Sequence, residues 1–402
     1  MAKPSLCLNM IVKNEGARIE RALASAAPYV KAVTILDTGS ADDTIERIQK
    51  FCTDNGVSCV VASGTFKDFS QARNDAWQLA RVHNKGDHWC QYVLLMDADM
   101  ELVVDDPKAF DPLFNATAAS FDMIQKGGSI TYGNRRIANL DITRPDPYVG
   151  VTHEYFDIPA NGMIEGAWFR DHADGSNRAD KFERDARLLE DGLVAEPGNG
   201  RYMFYLANTY RDWGKHSKAI DMYKQRIALG GWDEETFYAA YSLGLTNLEA
   251  GHKADGVAAL LAAYDFRPSR AEPLYELAKY YREKGSSHAS LLFSKKGLTV
   301  KRPDDLLFVN DFIYSHGLRY EYSVAGYYDE KERDRAFQVT DDFALDPTSP
   351  LDLRHSARQN LFWFTKPLRE YCPSFVDRQI AYTPAAGLHR DEPVGGLQRG
   401  PH

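Results

Sequence analysis

Two carboxylates one residue apart, Asp97 and Asp99, follow directly on the apolar run Leu94-Leu95-Met96. Carboxylates at i and i+2 just past a strand can reach one hard cation, directly or through water, and leave positions for phosphate oxygens. A divalent ion held this way neutralises a diphosphate leaving group. The competing reading is a solvated turn, since Asp is common where strands end. Asp37 closes a second apolar run and opens Asp37-Thr38-Gly39-Ser40. There a carboxylate can accept hydrogen bonds from a pyrimidine N–H or a ribose hydroxyl, or can simply begin the turn. Asn14-Glu15 lies beyond a third apolar run and either faces the same ligand or caps a helix. Arg73 falls in the first turns of a helix opened by Ser70, where a guanidinium and helix N–H groups can meet phosphate. A surface ion pair with Asp68 or Asp75 is its alternative.

The elements that must position these groups alternate in type. Leu6–Val12, Val33–Leu36, Ser58–Ala62 and Tyr92–Met96 read as strands. Helical spacing covers Ala17–Ala27 and Ser70–Val82, and Ser40 with Asp43 reads as a capping box for a helix running toward Asn55. Such alternation implies a parallel sheet with helices on both faces, and ligands then bind beyond the carboxyl ends of the strands. From about residue 130 short strands and Gly/Pro-rich loops take over, with Tyr148–Phe156 and Gly166–Arg170 as candidate strands. Beyond Lys181 the chain reads as helical.

That helical half repeats. Leu206, Leu243 and Leu277 are each followed at one offset by Gly214, Gly251 and Gly285, at intervals of 37 and then 34 residues. Small residues return at Ala219, Gly256 and Ser290, and Trp232, Pro268 and Pro303 close the units. This is the signature of stacked helix–turn–helix pairs and resembles tetratricopeptide repeats. A weaker unit lies around Gly326, Ala336 and Pro347, and Leu353–Phe364 reads as a cap. The predicted domains are 1–190, 191–350 and 351–402, the last ending in an irregular tail from Thr383.

Composition bounds the rest. The chain has 402 residues, 44% hydrophobic and 26% charged, with a net charge of −9. It is too apolar to be disordered and too acidic to hold nucleic acid mainly through phosphate contacts. No apolar run is long enough to span a bilayer. Five scattered cysteines without a C-x-x-C spacing predict neither disulfides nor a zinc site, and a reducing cytoplasm.

Four motifs occur in order: Ser5 to Glu15, Thr34 to Thr44, Asp68 to Asn74, and Met96-Asp97-Ala98-Asp99. The series resembles the nucleotide-sugar-binding half of family 2 glycosyltransferases, of GT-A fold, and is most similar to the subgroup with tetratricopeptide repeats after the catalytic domain. The resemblance implies an α/β GT-A catalytic domain (a Rossmann-like mixed sheet) followed by an all-α repeat domain. It implies an inverting, metal-dependent transfer of a hexose, glucose first, from a nucleoside-diphosphate sugar, UDP-glucose first, to a hydroxyl acceptor. Asn14, Glu15 and Asp37 then read the nucleoside, while Arg73, Asp97, Lys181 and Arg184 serve the diphosphate. Asp97, Asp99 and His172 would hold Mn²⁺ or Mg²⁺, an imidazole being a reasonable third ligand beside two carboxylates. Tyr148 to Glu154 resembles the Gly-x-x-His-Glu segment of the subgroup. Glu154 is its candidate base, with His153 shaping the pocket, Asp171 and Glu165 as fallback bases, and a structural His–Glu pair as the rival reading. Three positions depart from the family: Met100 displaces the acid to Glu101, Ala173-Asp174 replaces an aromatic pair, and Asp185 replaces Asn. The acceptor is a glycan, a protein or, less favoured by charge, hydroxymethylated DNA bases. The repeats present it or form a homodimer. The alternative of another class is a repeat scaffold whose GT-A half is inert.

Overall fold

A computed structural model describes residues 6–84, 90–115, 117–127, 130–141, 144–174 and 181–371. The expected tail from Thr383 lies outside the described residues. The chain divides into two compact units, Met1–Leu206 and Ala207–His402.

The first unit alternates β1 (Leu6–Val12), α1 (Ile19–Ala26), β2 (Ala32–Asp37), α2 (Thr44–Asp54), β3 (Ser58–Ser63), α3 (Phe69–His83) and β4 (Tyr92–Leu95). It continues through β5 (Met100–Val104), β6 (Ser120–Gly127), β7 (Ile130–Asn139), β8 (Tyr148–Val149), β9 (Tyr155–Phe156) and β10 (Met163–Asp171) to α4 (Lys181–Ala195). The main sheet is mixed and GT-A-like, in the order β3-β2-β1-β4-β7-β6-β10-β5. β1 to β4 pair in parallel, while β7 runs antiparallel to both β4 and β6. Successive strand residues face opposite sides. Leu6, Leu8 and Met10 therefore join the core with Ile19, Leu23 and Ile48, while Cys7, Val93 and Leu95 pack with Trp77 and Ala80 of α3. Both faces are covered, which explains the unbroken apolar runs of the central strands.

Four expectations need correction. α2 starts at Thr44, not at a Ser40 cap; Ser40 instead accepts the Asn14 N–H at 2.9 Å, and Asp42 accepts the Thr44 N–H at 3.1 Å. α3 is capped by Asp68, which takes the Gln71 N–H at 2.8 Å, rather than by Ser70. Tyr148–Phe156 is no single strand but the small hairpin β8–β9. Finally, a disulfide joins Cys7 to Cys90. Residues 83 apart in sequence meet because β1 and β4 are parallel neighbours, Cys7 standing opposite Val93. Scattered spacing hides such a pairing, and with it goes the argument from cysteines for a reducing cytoplasm.

The second unit is helical, beginning within α5 (Gly200–Asp212). α5 pairs with α6 (His216–Leu229), α7 (Asp233–Glu249) with α8 (Lys253–Phe266), and α9 (Glu272–Glu283) with α10 (Ser287–Gly297). α11 (Leu318–Ala325) and α12 (Arg333–Leu345) make the fourth pair, followed by α13 (Leu351–Tyr371). Gly214, Gly251 and Gly285 sit in the turn of each of the first three pairs, at φ 75°, 88° and 73°. Only glycine adopts that backbone without cost, which fixes the recurring glycine. No helix among the described residues is long and apolar enough to cross a membrane.

Helix pairs of this kind bury their apolar faces only against neighbours. Phe237, Tyr241, Leu260 and Ala263 of the second pair pack with Leu277 of the third. A chain ended after Pro268 should therefore expose that cluster and elute from a sizing column as aggregate. A monodisperse, cooperatively melting 1–268 fragment would contradict this packing.

Candidate functional site

The carboxyl ends of β1, β2 and β4 carry the expected residues, and one continuous run of polar bonds joins several of them. Arg73 of α3 donates from Nη2 to Asp97 Oδ1 at 2.7 Å and from Nε to Glu154. Asp97 follows the end of β4 and receives Arg136 Nη1 of β7 on its other oxygen at 3.2 Å. Arg136 Nη2 then donates to Gln125 Oε1 of β6 at 2.7 Å, and Gln125 Nε2 to Asp171 Oδ2 of β10 at 3.0 Å. Both candidate bases, Glu154 and Asp171, are thereby wired to Asp97 through two arginines and an amide.

The electrostatics follow. Asp97 has a quarter of its side chain exposed and Arg136 about a tenth. Burial pushes the Asp97 carboxyl up, but the guanidiniums of Arg73 and Arg136 outweigh it and hold its pKa at about 2. Tyr148 lies under the Arg73 guanidinium at 5.7 Å, and burial pushes its hydroxyl well up, so the ring stays neutral.

Arg73 thus bonds across the site rather than to Asp68 or Asp75. The His153–Glu154 pair does not form. Glu154 binds Arg73, while the His153 ring stacks on Tyr205 at 4.1 Å and its carbonyl accepts Arg201 at 2.8 Å.

At the β1 and β2 ends, Asn14 and Asp37 share one loop. Asp37 is almost fully buried and accepts the Gly39 and Ser40 N–H groups at 3.1 Å. Asn14 Oδ1 takes the Ala41 N–H at 2.7 Å, and the Glu15 N–H donates to Thr44 at 2.8 Å. The Asp37 carboxylate therefore builds the turn that any ligand here would meet. Four described residues other than glycine have positive φ, and three of them, Asn14, His153 and Ala173, adjoin these candidates. Such backbone costs energy and gathers where a site holds residues in place.

The metal candidates are neighbours but do not close around a centre. The His172 backbone N–H donates to the Asp99 carbonyl at 3.2 Å, while the His172 ring bonds Glu101 at 2.9 Å. Glu101, displaced by Met100, also receives Arg170 at 3.3 Å. Among the described residues no three His, Cys, Asp or Glu side chains converge as a cage. The donor chemistry of Asp97, Asp99 and His172 suits a hard divalent ion, and a bound ion would compete with two arginines for Asp97. Asp174, in place of an aromatic, binds Arg21 through both oxygens at 2.8 and 3.0 Å. Lys181 opens α4, and Arg184 pairs with the buried Asp185 at 2.9 Å while covering the Phe69 ring at 5.1 Å.

Sequence reading missed Arg136 and Gln125 as site residues. A buried arginine needs a carboxylate, but that Arg136 is buried beside Asp97 follows only from the pairing of β7 with β4.

Stability should report the Asp97 clamp. A carboxyl whose folded pKa is depressed stabilises the protein above its unfolded pKa, and that contribution is lost as pH falls toward the folded value. Between about pH 5 and about pH 3 the parent should lose about 1 kcal/mol more unfolding free energy than Asp97→Asn. Equal losses in denaturant titrations would mean that the two arginines do not hold Asp97.

Residues 7–143 match the family model for glycosyl transferase family 2. The chain is 33% identical over 150 residues to a TPR repeat-containing protein of Synechococcus elongatus, a stretch of 36% of this chain and 33% of that protein. It thus spans about a third of that relative's length. Among solved structures it is similar to the crystal structure of MamA, at 22% identity over 44% of this chain and 90% of that one, with a TM-score of 0.32. It is also similar to YrrB, described as a TPR protein with an unusual peptide-binding site, at 15% identity, 44% and 84% coverage and a TM-score of 0.33. The matched stretch runs from β1 through β7 and contains Asn14, Asp37, Arg73, Asp97, Asp99 and Arg136; over these residues the chain is similar to glycosyl transferase family 2, and that similarity supports a glycosyltransferase.

Proposed function

We propose that the family 2 domain is an inverting hexosyltransferase that takes a nucleoside-diphosphate sugar, UDP-glucose first, and passes the hexose to a hydroxyl acceptor. The observation that supports it most is the bonded run Glu154–Arg73–Asp97–Arg136–Gln125–Asp171. In this reading its two guanidiniums would face the charge that develops on a departing diphosphate, with carboxylates on either side. An inert scaffold has no need of that arrangement.

In this reading Asn14, Glu15 and Asp37 shape the nucleoside end, and Arg73, Lys181 and Arg184 meet the diphosphate. Fixed guanidiniums stabilise the growing negative charge without reorganising during reaction. Glu154 takes the acceptor hydroxyl proton. The acceptor oxygen bonds to the anomeric carbon as that carbon's bond to the diphosphate breaks on the opposite face, and the electron pair leaves with the diphosphate. Asp97, Asp99 and His172 would hold Mn²⁺ or Mg²⁺, which supplies charge neutralisation at the leaving group. The acceptor is a protein or glycan hydroxyl, and the helical repeats select it or pair two copies of the chain.

A donor screen by nucleotide release, followed by mass spectrometry of candidate acceptors, tests the reaction class. A panel of nucleotide sugars that yields no release with any acceptor mixture would contradict it. Chelator should remove nearly all transfer, and Mn²⁺ or Mg²⁺ should restore it; full activity in chelator would remove the metal from the scheme.

Glu154→Gln should bind UDP about as well as the parent while turnover falls by roughly 10²–10⁴-fold, the usual yield of general-base catalysis. Because Glu154 also holds Arg73, a fall in both turnover and UDP affinity would make it a positioning residue instead. Turnover that survives this change but collapses in Asp171→Asn moves the base to Asp171.

A further inference from the structure

The helical unit joins its pairs by short links, 230–232 between α6 and α7 and 267–271 between α8 and α9. The link after α10 is the exception, running over residues 298–310 with no helix or strand of its own. Loops of that length in a compact array are usually functional.

Its segment Asp305-Leu306-Leu307-Phe308 is held by charged side chains from earlier repeats, not by a strand ladder. Glu234 of α7 accepts both the Leu306 and the Leu307 N–H at 2.8 Å. Arg270, in the turn before α9, donates to the Leu307 and Phe308 carbonyls at 3.1 Å. Asp305 receives Arg267 at 2.6 and 2.8 Å and Arg270 at 3.2 Å. The Phe308 ring rests on Tyr238 at 4.9 Å.

Main-chain donors and acceptors are thus read alongside one acidic and one aromatic side chain, which is how a receptor holds an extended peptide. Two features mark the segment as an occupant more than a packed part of the core. Leu306 is 87% exposed and Phe308 50%. Phe308 also has φ 49°, the fourth positive value among residues other than glycine, a backbone that costs such a residue energy unless its surroundings impose it. The receiving side also has an anchor outside the segment. Arg270 is fully buried and pinned by Glu272 of α9 at 2.8 to 3.1 Å.

We propose that Glu234, Tyr238, Arg267 and Arg270 form a docking surface for an extended acidic–apolar–apolar–aromatic segment of a protein partner, which the chain fills with its own residues 305–308 until that partner displaces them. The tether gives the internal segment a high effective concentration, so a partner must carry the same pattern and bind tightly or be held nearby. This inference does not rest on the sugar-transfer reading.

The test uses the full chain with residues 303–309 replaced by a Gly/Ser link of equal length. A synthetic peptide of residues 303–310 is titrated to millimolar concentration and followed by chemical shifts. Saturable changes confined to the Glu234–Arg270 region, and abolished by Glu234→Ala, are expected. No change in a variant that keeps its helix content and cooperative melting overturns the proposal. If that variant does not fold, native-state hydrogen exchange on the unaltered chain decides. The Leu306 and Leu307 amides should exchange by local opening at least 100-fold faster than the core amides of α9, a ratio of about 2.7 kcal/mol. Exchange of both only with global unfolding makes the segment structural and overturns the proposal.

Discussion

Everything in the first unit converges on one constraint, a carboxylate held between two guanidiniums. Asp97 sits partly buried with Arg73 on one oxygen and Arg136 on the other. Arg73 also serves Glu154, so removing either arginine would leave one of the two carboxylates without its cation, and breaking such a pair typically costs about 3–5 kcal/mol. The clamp therefore dictates where α3 and β7 lie relative to the end of β4. α3 must cross behind the sheet so that its second turn reaches Asp97, and Trp77 and Ala80 anchor it there. β7 must run antiparallel beside β4, which sets Ile137 against Leu94 and brings Arg136 to the strand end. Packing and site geometry are the same requirement seen from two sides.

The first four strands and three helices were legible because their apolar runs are buried on both faces and end in turn residues. The recurring glycines were legible because a positive φ admits little else. What escaped was set by tertiary structure. β5 and β6 carry mixed polar residues, Glu101 and Gln125 among them, since they lie where the sheet meets the site; alternation there is broken by function. Arg136 could be recognised as a site residue only once β7 was known to pair with β4. The Cys7–Cys90 bond was hidden for the same reason. α2 starts at Thr44 rather than at a Ser40 cap because Ser40 is drawn into the Asn14–Asp37 loop.

The helical unit keeps its register by a related device. Arg211 of α5 pairs with Glu249 of α7, and Arg282 of α9 with Glu321 of α11, so equivalent helices of successive pairs are tied across the repeat. Arg226 and Glu235, both nearly inaccessible, tie the end of α6 to the start of α7. Apolar faces supply the adhesion and would tolerate sliding. Buried charges that must find their partners do not. Burial pushes the Glu321 carboxyl up, and Arg282 opposes it.

If the first unit transfers a sugar as proposed, the arginine clamp is a diphosphate site. Calorimetric titration of UDP into the parent chain and into Arg73→Met and Arg136→Met, with Mn²⁺ present, tests this most directly. The prediction is saturable one-to-one binding by the parent and at least tenfold weaker binding by Arg73→Met, at a melting temperature that still reports a folded first unit. UDP binding that is absent from the parent, or equally tight in both variants, would contradict it.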